Sequence, residues 1–515
     1  MSGLRIELEP KLETVTARFH IENFGCRAAR ADGEAIADRL RAHCMEQSSS
    51  PIADVIVVNT CSVTAEADRE ARAFIRRAHR SNPEAQIVAT GCYAQRAPEE
   101  LAKLEGVAAV VGNSHKALVP EIILDLAGGR RPMADSQILP VSSLLAGSQA
   151  SLVLVDDSFA HSFLEEAQVA PGAQTRPNLK IQEGCGNRCS FCVIPWTRGS
   201  SRSLSATSVL KQVEGFVAAG GVELVLSGIN LGRWGRDFSP AAGRPKTLAE
   251  LIREIFAQTG LPRLRLSSIE PMDWDAELIG LMADFGPARP ANAFPRQGRL
   301  ARHVHLPLQS GSDAVLRRMH RRYRPWHYAA KVEALLQAAG PELTLGADVM
   351  AGFPGETDAE FEETLDFVRA LPFGYLHLFP FSPRPGTRAW ALHAANPVAP
   401  RVVDERMARL RALAAEKMRA HRLQFVGREL EALTLHTPQA LAGTGRTSAL
   451  TENFLPVELD GVIEANHPVR VRVSALNAEG ALQARLSVEP EDRFMRDSFA
   501  AETACGSLGA CSRNV

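Results

Sequence analysis

Short apolar runs alternate with amphipathic stretches through most of the 515 residues. Between residues 17 and 125 the runs ARFHIENF, ADVIVVNT and AQIVATG are each followed by a polar or helical segment. That alternation predicts βαβ units around a parallel sheet. Residues 126–175 are rich in Gly, Pro, Ser and Ala without clear periodicity, and read as a linker or variable insertion. From 176 the alternation resumes, with VELVLSG, RLRLSSIE, HVHLPLQ, LTLGADVMAG and YLHLFPF as strands. TLAELIREIFAQ and DAEFEETLDFVRALP are the helices between them. This order suits a full or partial β/α barrel, whose sites lie at the C-terminal strand ends. A charged amphipathic helix over 401–423 completes this second domain, 176–424. LPVEL and VRVRVSA predict a small antiparallel β-barrel over 425–490, and 491–515 reads as a disordered tail. The Pro/Ala/Arg-rich insertion near 284–302 reads as a surface loop. The fold class is therefore α/β.

Composition narrows the setting. With 45% hydrophobic residues the chain can bury several cores, yet no apolar run reaches the ~18–20 residues needed to cross a bilayer. The N-terminal stretch MSGLRIELEPKLETV lacks the apolar core of a signal peptide, which predicts a cytoplasmic protein without membrane partners. A net charge of −1 gives no global basic signature, so nucleic acid would have to meet local arginine patches. In a reducing compartment the nine cysteines read as metal ligands or reactive groups before disulfides. Cys505 and Cys511, in the tail, look incidental, and Cys44 reads as a small packing residue.

Cys26, Cys61 and Cys92 each follow a predicted strand, in IENFGC, VIVVNTC and IVATGC. Parallel strands finish on one side of their sheet, where ligand sites form. One such cysteine would be ordinary packing; three in equivalent positions read as a three-thiolate metal site. A second trio, Cys185, Cys189 and Cys192, lies within GCGNRCSFCVIPWTRGSSRS. Structural zinc takes four ligands, and the nearest histidines, His161 and His303, are not at ligand spacing. Iron–sulfur clusters are held by cysteines, usually four, so three would leave one iron open.

The CxxxCxxC spacing, with Phe191 before its last cysteine, resembles the signature of the radical S-adenosylmethionine superfamily. The resemblance implies a 4Fe–4S cluster on these thiolates, with S-adenosylmethionine on its open iron as the source of a 5′-deoxyadenosyl radical. VVNTCSVTAEADRE, ATGCYAQ, IQEGCGNRCSFCVIPWTRG, LSSIEP, HLPLQSGSD and GFPGET resemble the methylthiotransferases of that superfamily over residues 17–490. This implies a radical barrel followed by a TRAM-like RNA-binding barrel. It also implies a second 4Fe–4S cluster on Cys26, Cys61 and Cys92 that handles the inserted sulfur, and S-adenosylmethionine as methyl donor too. NTCSVTAEADR and IRRAHRSNPEAQIVATGCYAQ resemble the threonylcarbamoyladenosine branch, which methylthiolates C2 of that nucleoside in tRNA beside the anticodon. The implied partners are tRNA, a flavodoxin- or ferredoxin-like reductant and a sulfur donor. Isopentenyl-adenosine tRNA and a ribosomal-protein aspartate are alternative substrates of the family. A non-catalytic iron–sulfur protein that binds RNA or carries electrons is the alternative of a different class; it would not cleave S-adenosylmethionine after reconstitution. One departure stands out: where relatives carry GCxxN, this chain has Cys26-Arg27-Ala28-Ala29.

Further candidates follow the barrel reading. Glu223 comes after Gly220-Gly221, and Ser227 and Gly228 end the same strand; Gly-rich turns of this kind contact S-adenosylmethionine in the superfamily. Ser268, Glu270, Gln309 and Ser310 lie at later strand ends and suit ribose or adenine hydrogen bonds. Asp348 interrupts an apolar strand, where an unpaired carboxylate would be costly. For RNA, Arg317, Arg318, Arg321, Arg322 and Arg324 stand beside Tyr323, Trp326 and Tyr328. Arg69, Arg72, Arg76 and Arg80 form a helical stripe after Cys61. Either patch could equally be a solvated helix face.

Overall fold

The computed structural model describes residues 17–129, 151–159, 175–238, 247–286 and 298–487. The tail with Cys505 and Cys511, and most of the insertion near 284–302, lie outside the described residues. The chain divides into two compact units, Met1–Met418 and Arg419–Val515.

The first unit opens with six strands: β1 (Arg18–Asn23), β2 (Glu46–Gln47), β3 (Val55–Thr60), β4 (Gln86–Gly91), β5 (Val107–Gly112) and β6 (Leu152–Leu154). They lie in the order β2-β1-β3-β4-β5-β6, and every pair is parallel. β3, VIVVNT, is buried at all six positions because apolar layers cover both faces of the sheet. Phe19, Val55, Val57 and Val88 pack with Ile36 and Leu40 of α1 (Arg27–Ala42). The alternate residues Ile56, Val58 and Ile87 pack with Ala71 and Ile75 of α2 (Ala65–Ser81). Helix α2 starts where the Thr64 hydroxyl accepts the Ala67 N–H at 3.2 Å. β6 corrects the reading of 126–175 as linker throughout: Leu152–Leu154 pairs with β5 and completes the sheet. Its LVL triplet is too short to carry a periodicity of its own.

Seven strands follow in the same unit: β7 (Asn178–Glu183), β8 (Arg202–Ser203), β9 (Glu223–Gly228), β10 (Arg263–Leu266), β11 (His303–His305), β12 (Thr344–Ala351) and β13 (Phe373–Pro380). They form the sheets β10-β9-β7-β8 and β11-β12-β13, all parallel apart from β8 against β7. Ala301 N donates to Leu264 O at 2.9 Å and Ile269 N to His305 O at 3.2 Å, which joins the two sheets. The result is a partial β/α barrel. Helices such as Leu248–Gln258 and Asp358–Ala370, each opened by a Thr/Glu capping box, pack outside it. One apolar core runs from Leu179 to Leu413.

The second unit is a closed barrel of β14 (Glu429–Thr434), β15 (Arg446–Thr451), β16 (Pro456–Asp460), β17 (Pro468–Leu476) and β18 (Leu482–Leu486), in the order β14-β15-β16-β18-β17. Its pairs are antiparallel except for β16 with β18, which is parallel. Closure leaves no open sheet edge, as in OB-type barrels.

Gly91 sets how closely β4 ends against β3. Its φ is +96°, and a Cβ there would stand 2.4 Å from Thr60 O. Gly91→Ala is expected to cost about 2 kcal/mol or more, combining left-handed strain with a backbone clash. Urea denaturation of the two proteins checks this, and equal midpoints would contradict it.

Candidate metal centres

β1, β3 and β4 are neighbours in the sheet, so their C-terminal ends lie side by side. Cys26 caps α1 just after β1, Cys61 directly follows β3, and Cys92 opens α3 (Cys92–Arg96) after β4. The approach is tight. Gly25, at φ +97°, lies so near Cys61 that a Cβ on it would stand 2.5 Å from the Cys61 sulfur. Burial raises the Cys61 pKa, and Cys92 and Cys26 push it further, to about 12. The loop after Cys61 is pinned by Asp68, which accepts from Ser62 Oγ at 3.1 Å, Arg96 Nη2 at 2.8 Å and Arg384 Nη1 at 2.6 Å. Near Cys26, where the relatives' asparagine is missing, Asn59 Nδ2 donates to Ala29 O and to Asn23 Oδ1. An amide from the neighbouring strand end therefore holds that turn.

The second trio follows β7. Gly184, at φ +72°, lets the chain turn where a Cβ would stand 2.0 Å from Ser200 O, and Cys185 N donates to Gly199 O at 3.1 Å. The Cys185 sulfur accepts from Asn187 N at 3.4 Å and from Asn230 Nδ2 at 3.7 Å. The Cys189 sulfur accepts from Arg321 Nη1 at 3.3 Å. Burial raises the Cys192 pKa, with Cys189 adding to it, to about 12. Ser190 anchors the loop through Ser190 Oγ to Arg318 O at 2.9 Å, and Phe191 packs edge-on against Phe353 at 6.5 Å.

Crowded thiols of this kind become thiolates together only around a cation. Three cysteine thiols are the donor set an iron–sulfur cluster takes when one of its irons is left open to another ligand, whereas structural zinc takes four.

Residues 18–112 match the model of the uncharacterized protein family UPF0004, and residues 179–368 match that of the radical SAM superfamily. The chain is 33% identical over 454 residues to the threonylcarbamoyladenosine tRNA methylthiotransferase MtaB of Aquifex aeolicus, covering 88% of this chain and 99% of that protein. The protein of the same name from Bacillus subtilis is 34% identical over 448 residues, 87% of this chain and 90% of its own length. The tRNA-2-methylthio-N(6)-dimethylallyladenosine synthase of Cereibacter sphaeroides is 33% identical over 423 residues, 81% of this chain and 87% of its own. The chain belongs to the radical S-adenosylmethionine methylthiotransferase family. Its radical SAM domain implies a 4Fe–4S cluster and S-adenosylmethionine.

The other expected residues of this methylthiotransferase divide by position. Among the described residues the buried Ser227 hydroxyl and the buried Gln309 amide oxygen find no partner, and Gly228 lies on Gln182. Ser268 is half-buried, and Glu270 accepts from Arg321, the arginine on Cys189. Asp348 Oδ1 lies 3.3 Å from both His305 Nε2 and His377 Nδ1, so its carboxylate is compensated. Burial would raise its pKa, but these two histidines hold it well below the usual range. Two expectations need correction. Glu223 begins β9, at the opposite end from the strand ends where barrel sites lie, and its carboxylate accepts from Arg265 Nε at 2.7 Å with Arg176 and Arg263 close by. Ser310 is fully buried, with its hydroxyl engaged by Thr364 Oγ1 at 2.9 Å and Ser312 N at 3.1 Å.

The arginine patches also separate. Arg321 is buried against Cys189 and Glu270, and Tyr323 and Tyr328 are buried with their hydroxyls on backbone carbonyls. None of these three reaches RNA from there. Arg318 makes a two-pronged contact with Glu360, and Arg324 lies 3.2 Å from Asp313. Arg317, Arg322 and Trp326 remain exposed. On α2, Arg69, Arg76 and Arg80 face solvent, whereas Arg72 donates to the Tyr93 hydroxyl.

Sequence reasoning missed Asn230, Asn113 and a buried set of charges. Asn113 Nδ2 donates to the Cys92 sulfur at 3.5 Å and to Thr197 O at 2.7 Å. Asp32, Lys116, Lys180, Glu183 and Arg198 form one buried cluster between the two trios. Lys180 and Glu183 lie in β7, NLKIQE, where polar residues outnumber apolar ones, so its sequence does not show that both charges are buried.

Glu223 offers a pH test. Burial would raise its pKa, but Arg265, Arg176 and Arg263 overcome this and hold it down to about 2. A depressed carboxylate stabilises the fold above its unfolded pKa and loses that contribution as pH falls toward the folded one. The window runs from 4.5 down to about 2 and is worth about 3 kcal/mol. The stability difference between the wild type and Glu223→Gln should shrink between pH 6 and pH 3 in denaturant titrations. A pH-independent gap would contradict this.

Proposed function

We propose that this methylthiotransferase modifies C2 of N6-threonylcarbamoyladenosine in tRNA, beside the anticodon, with one 4Fe–4S cluster on each cysteine trio. The observation that carries the chemistry is the pair of trios, each on adjacent strand ends or one pinned loop, and each with a buried arginine on one sulfur. The substrate rests on the curated threonylcarbamoyladenosine relatives, which align over nearly their whole length.

Cys185, Cys189 and Cys192 would hold the radical cluster, and Cys26, Cys61 and Cys92 the second one. Bound there, S-adenosylmethionine would supply the radical that takes hydrogen and the methyl group, and the clusters would supply the electron and the sulfur. The chain's task is positional. Asn230 and Arg321 fix the Cys185/Cys189/Cys192 trio, while Arg198 and Asn113 fix the Cys26/Cys61/Cys92 trio. The buried, unpartnered Ser227 hydroxyl and Gln309 amide oxygen are ready acceptors or donors for S-adenosylmethionine or adenosine. Exposed Arg69, Arg76, Arg80, Arg317, Arg322 and Trp326 would meet tRNA phosphates and bases, and the C-terminal barrel would add an RNA-binding surface. The reaction also calls for a flavodoxin- or ferredoxin-like electron donor and a sulfur donor. It takes place where tRNA is, in the cytoplasm. Among the described residues no helix is long and apolar enough to cross a membrane.

Mass spectrometry of tRNA nucleosides from cells with and without the gene tests the substrate. The methylthio mark on threonylcarbamoyladenosine should be lost and should return with the wild-type gene. Loss on isopentenyl-adenosine instead would assign the other tRNA branch, and unchanged nucleosides would refute the reading.

A further inference from the structure

Arg198 follows Cys192 by six residues, yet its guanidinium lies against the other cysteine trio. It is 0% exposed. Nε donates to the Cys92 sulfur at 3.2 Å, and Nη1 donates to Asp32 Oδ2 at 3.1 Å and to Glu183. Nη2 is buried and finds no partner among the described residues. Lys116 Nζ reaches Asp32 at 3.0 Å and Glu183 at 2.8 Å; Lys180 Nζ reaches Glu183 at 2.7 Å and also Asp32. All five side chains are less than a tenth exposed.

Counted as ionised, two carboxylates face three cations, which leaves one positive charge over. A buried excess charge is expensive unless an opposite charge adjoins it. Beyond the two carboxylates, the side-chain partner of the Arg198 guanidinium is the Cys92 sulfur. A clamp that only tied two segments together would balance its own charge and would have no reason to donate to a sulfur. A cluster held by three thiolates carries net negative charge, and more once it is reduced.

We propose that Arg198 is a positioning residue for the cluster at Cys26, Cys61 and Cys92: it orients the Cys92 sulfur, and the excess positive charge of its network stabilises the reduced cluster and raises its potential. The inference rests on the reading of that trio as a cluster site. Hydrogen bonds to cluster sulfurs and nearby charge are the protein's ordinary means of tuning such a potential.

The test uses full-length protein with Cys185, Cys189 and Cys192 replaced by Ala, reconstituted anaerobically with iron and sulfide. The remaining cluster is quantified as iron per chain, and its midpoint is read by electron paramagnetic resonance during dithionite titration. Arg198→Gln should move the midpoint to more negative potential and speed iron loss to a chelator several-fold, and Arg198→Lys should recover part of the shift. Lys116→Met removes a cation without touching a sulfur and should shift the midpoint in the same direction. That second variant decides the matter if Arg198→Gln does not fold. Unchanged midpoints in Arg198→Gln and Lys116→Met would overturn the inference. Absence of any cluster in the parent protein would instead refute the reading of the trio on which it rests.

Discussion

A guanidinium sealed from water, shared between a thiol and two carboxylates, ties the two cysteine trios into one structure. Arg198 belongs to the loop of one trio and hydrogen-bonds a sulfur of the other. Of its carboxylate partners, Asp32 comes from the N-terminal sheet domain and Glu183 from the first barrel strand, and Lys116 and Lys180 bridge the same two carboxylates. Charges buried this deeply are tolerated only as a complete set, because removing one partner typically costs ~3–5 kcal/mol. The register of β7 against α1, the path of the loop after Cys192 and the place of Cys92 are therefore mutually dependent. Asp68, shared by Arg96 and Arg384, makes a second bond of the same kind beside Cys61.

This arrangement suits a reaction that needs two cofactors to meet at one carbon. Parallel sheets present their functional groups at C-terminal strand ends, and both trios use that rule. The N-terminal sheet delivers three cysteines from three neighbouring strands. The partial barrel delivers three from a single loop after β7. The proposed hydrogen abstraction and sulfur insertion would demand a fixed separation between the two centres, and a buried charge network supplies rigidity that surface ion pairs would not.

Much of this was legible in the residues. Cys26, Cys61 and Cys92 announced themselves because each follows a predicted strand, and Cys185, Cys189 and Cys192 because their spacing leaves one position open. The small barrel of the second unit followed from runs such as LPVEL and VRVRVSA, but its strand number and its one parallel pair, β16 with β18, did not. β6 was hidden because three apolar residues in a Gly/Ser-rich stretch carry no period; only the neighbouring strand makes them a strand. Glu223 was placed correctly at the start of its strand, but nothing near it in sequence shows that Arg265, from the next strand, partners it. Arg321 and Tyr323 read as an exposed patch for the same reason: composition shows charge and aromatic rings, not which way a loop turns. Arg198 could not be assigned its contact because its partners lie 106 and 166 residues away.

The most direct measurement is X-ray diffraction from anaerobically reconstituted crystals at the iron absorption edge. The account predicts two iron peaks, one bounded by Cys26, Cys61 and Cys92 and the other by Cys185, Cys189 and Cys192, with Arg198 in contact with the first. A single peak at the second trio, with the three N-terminal cysteines free of metal, would contradict it.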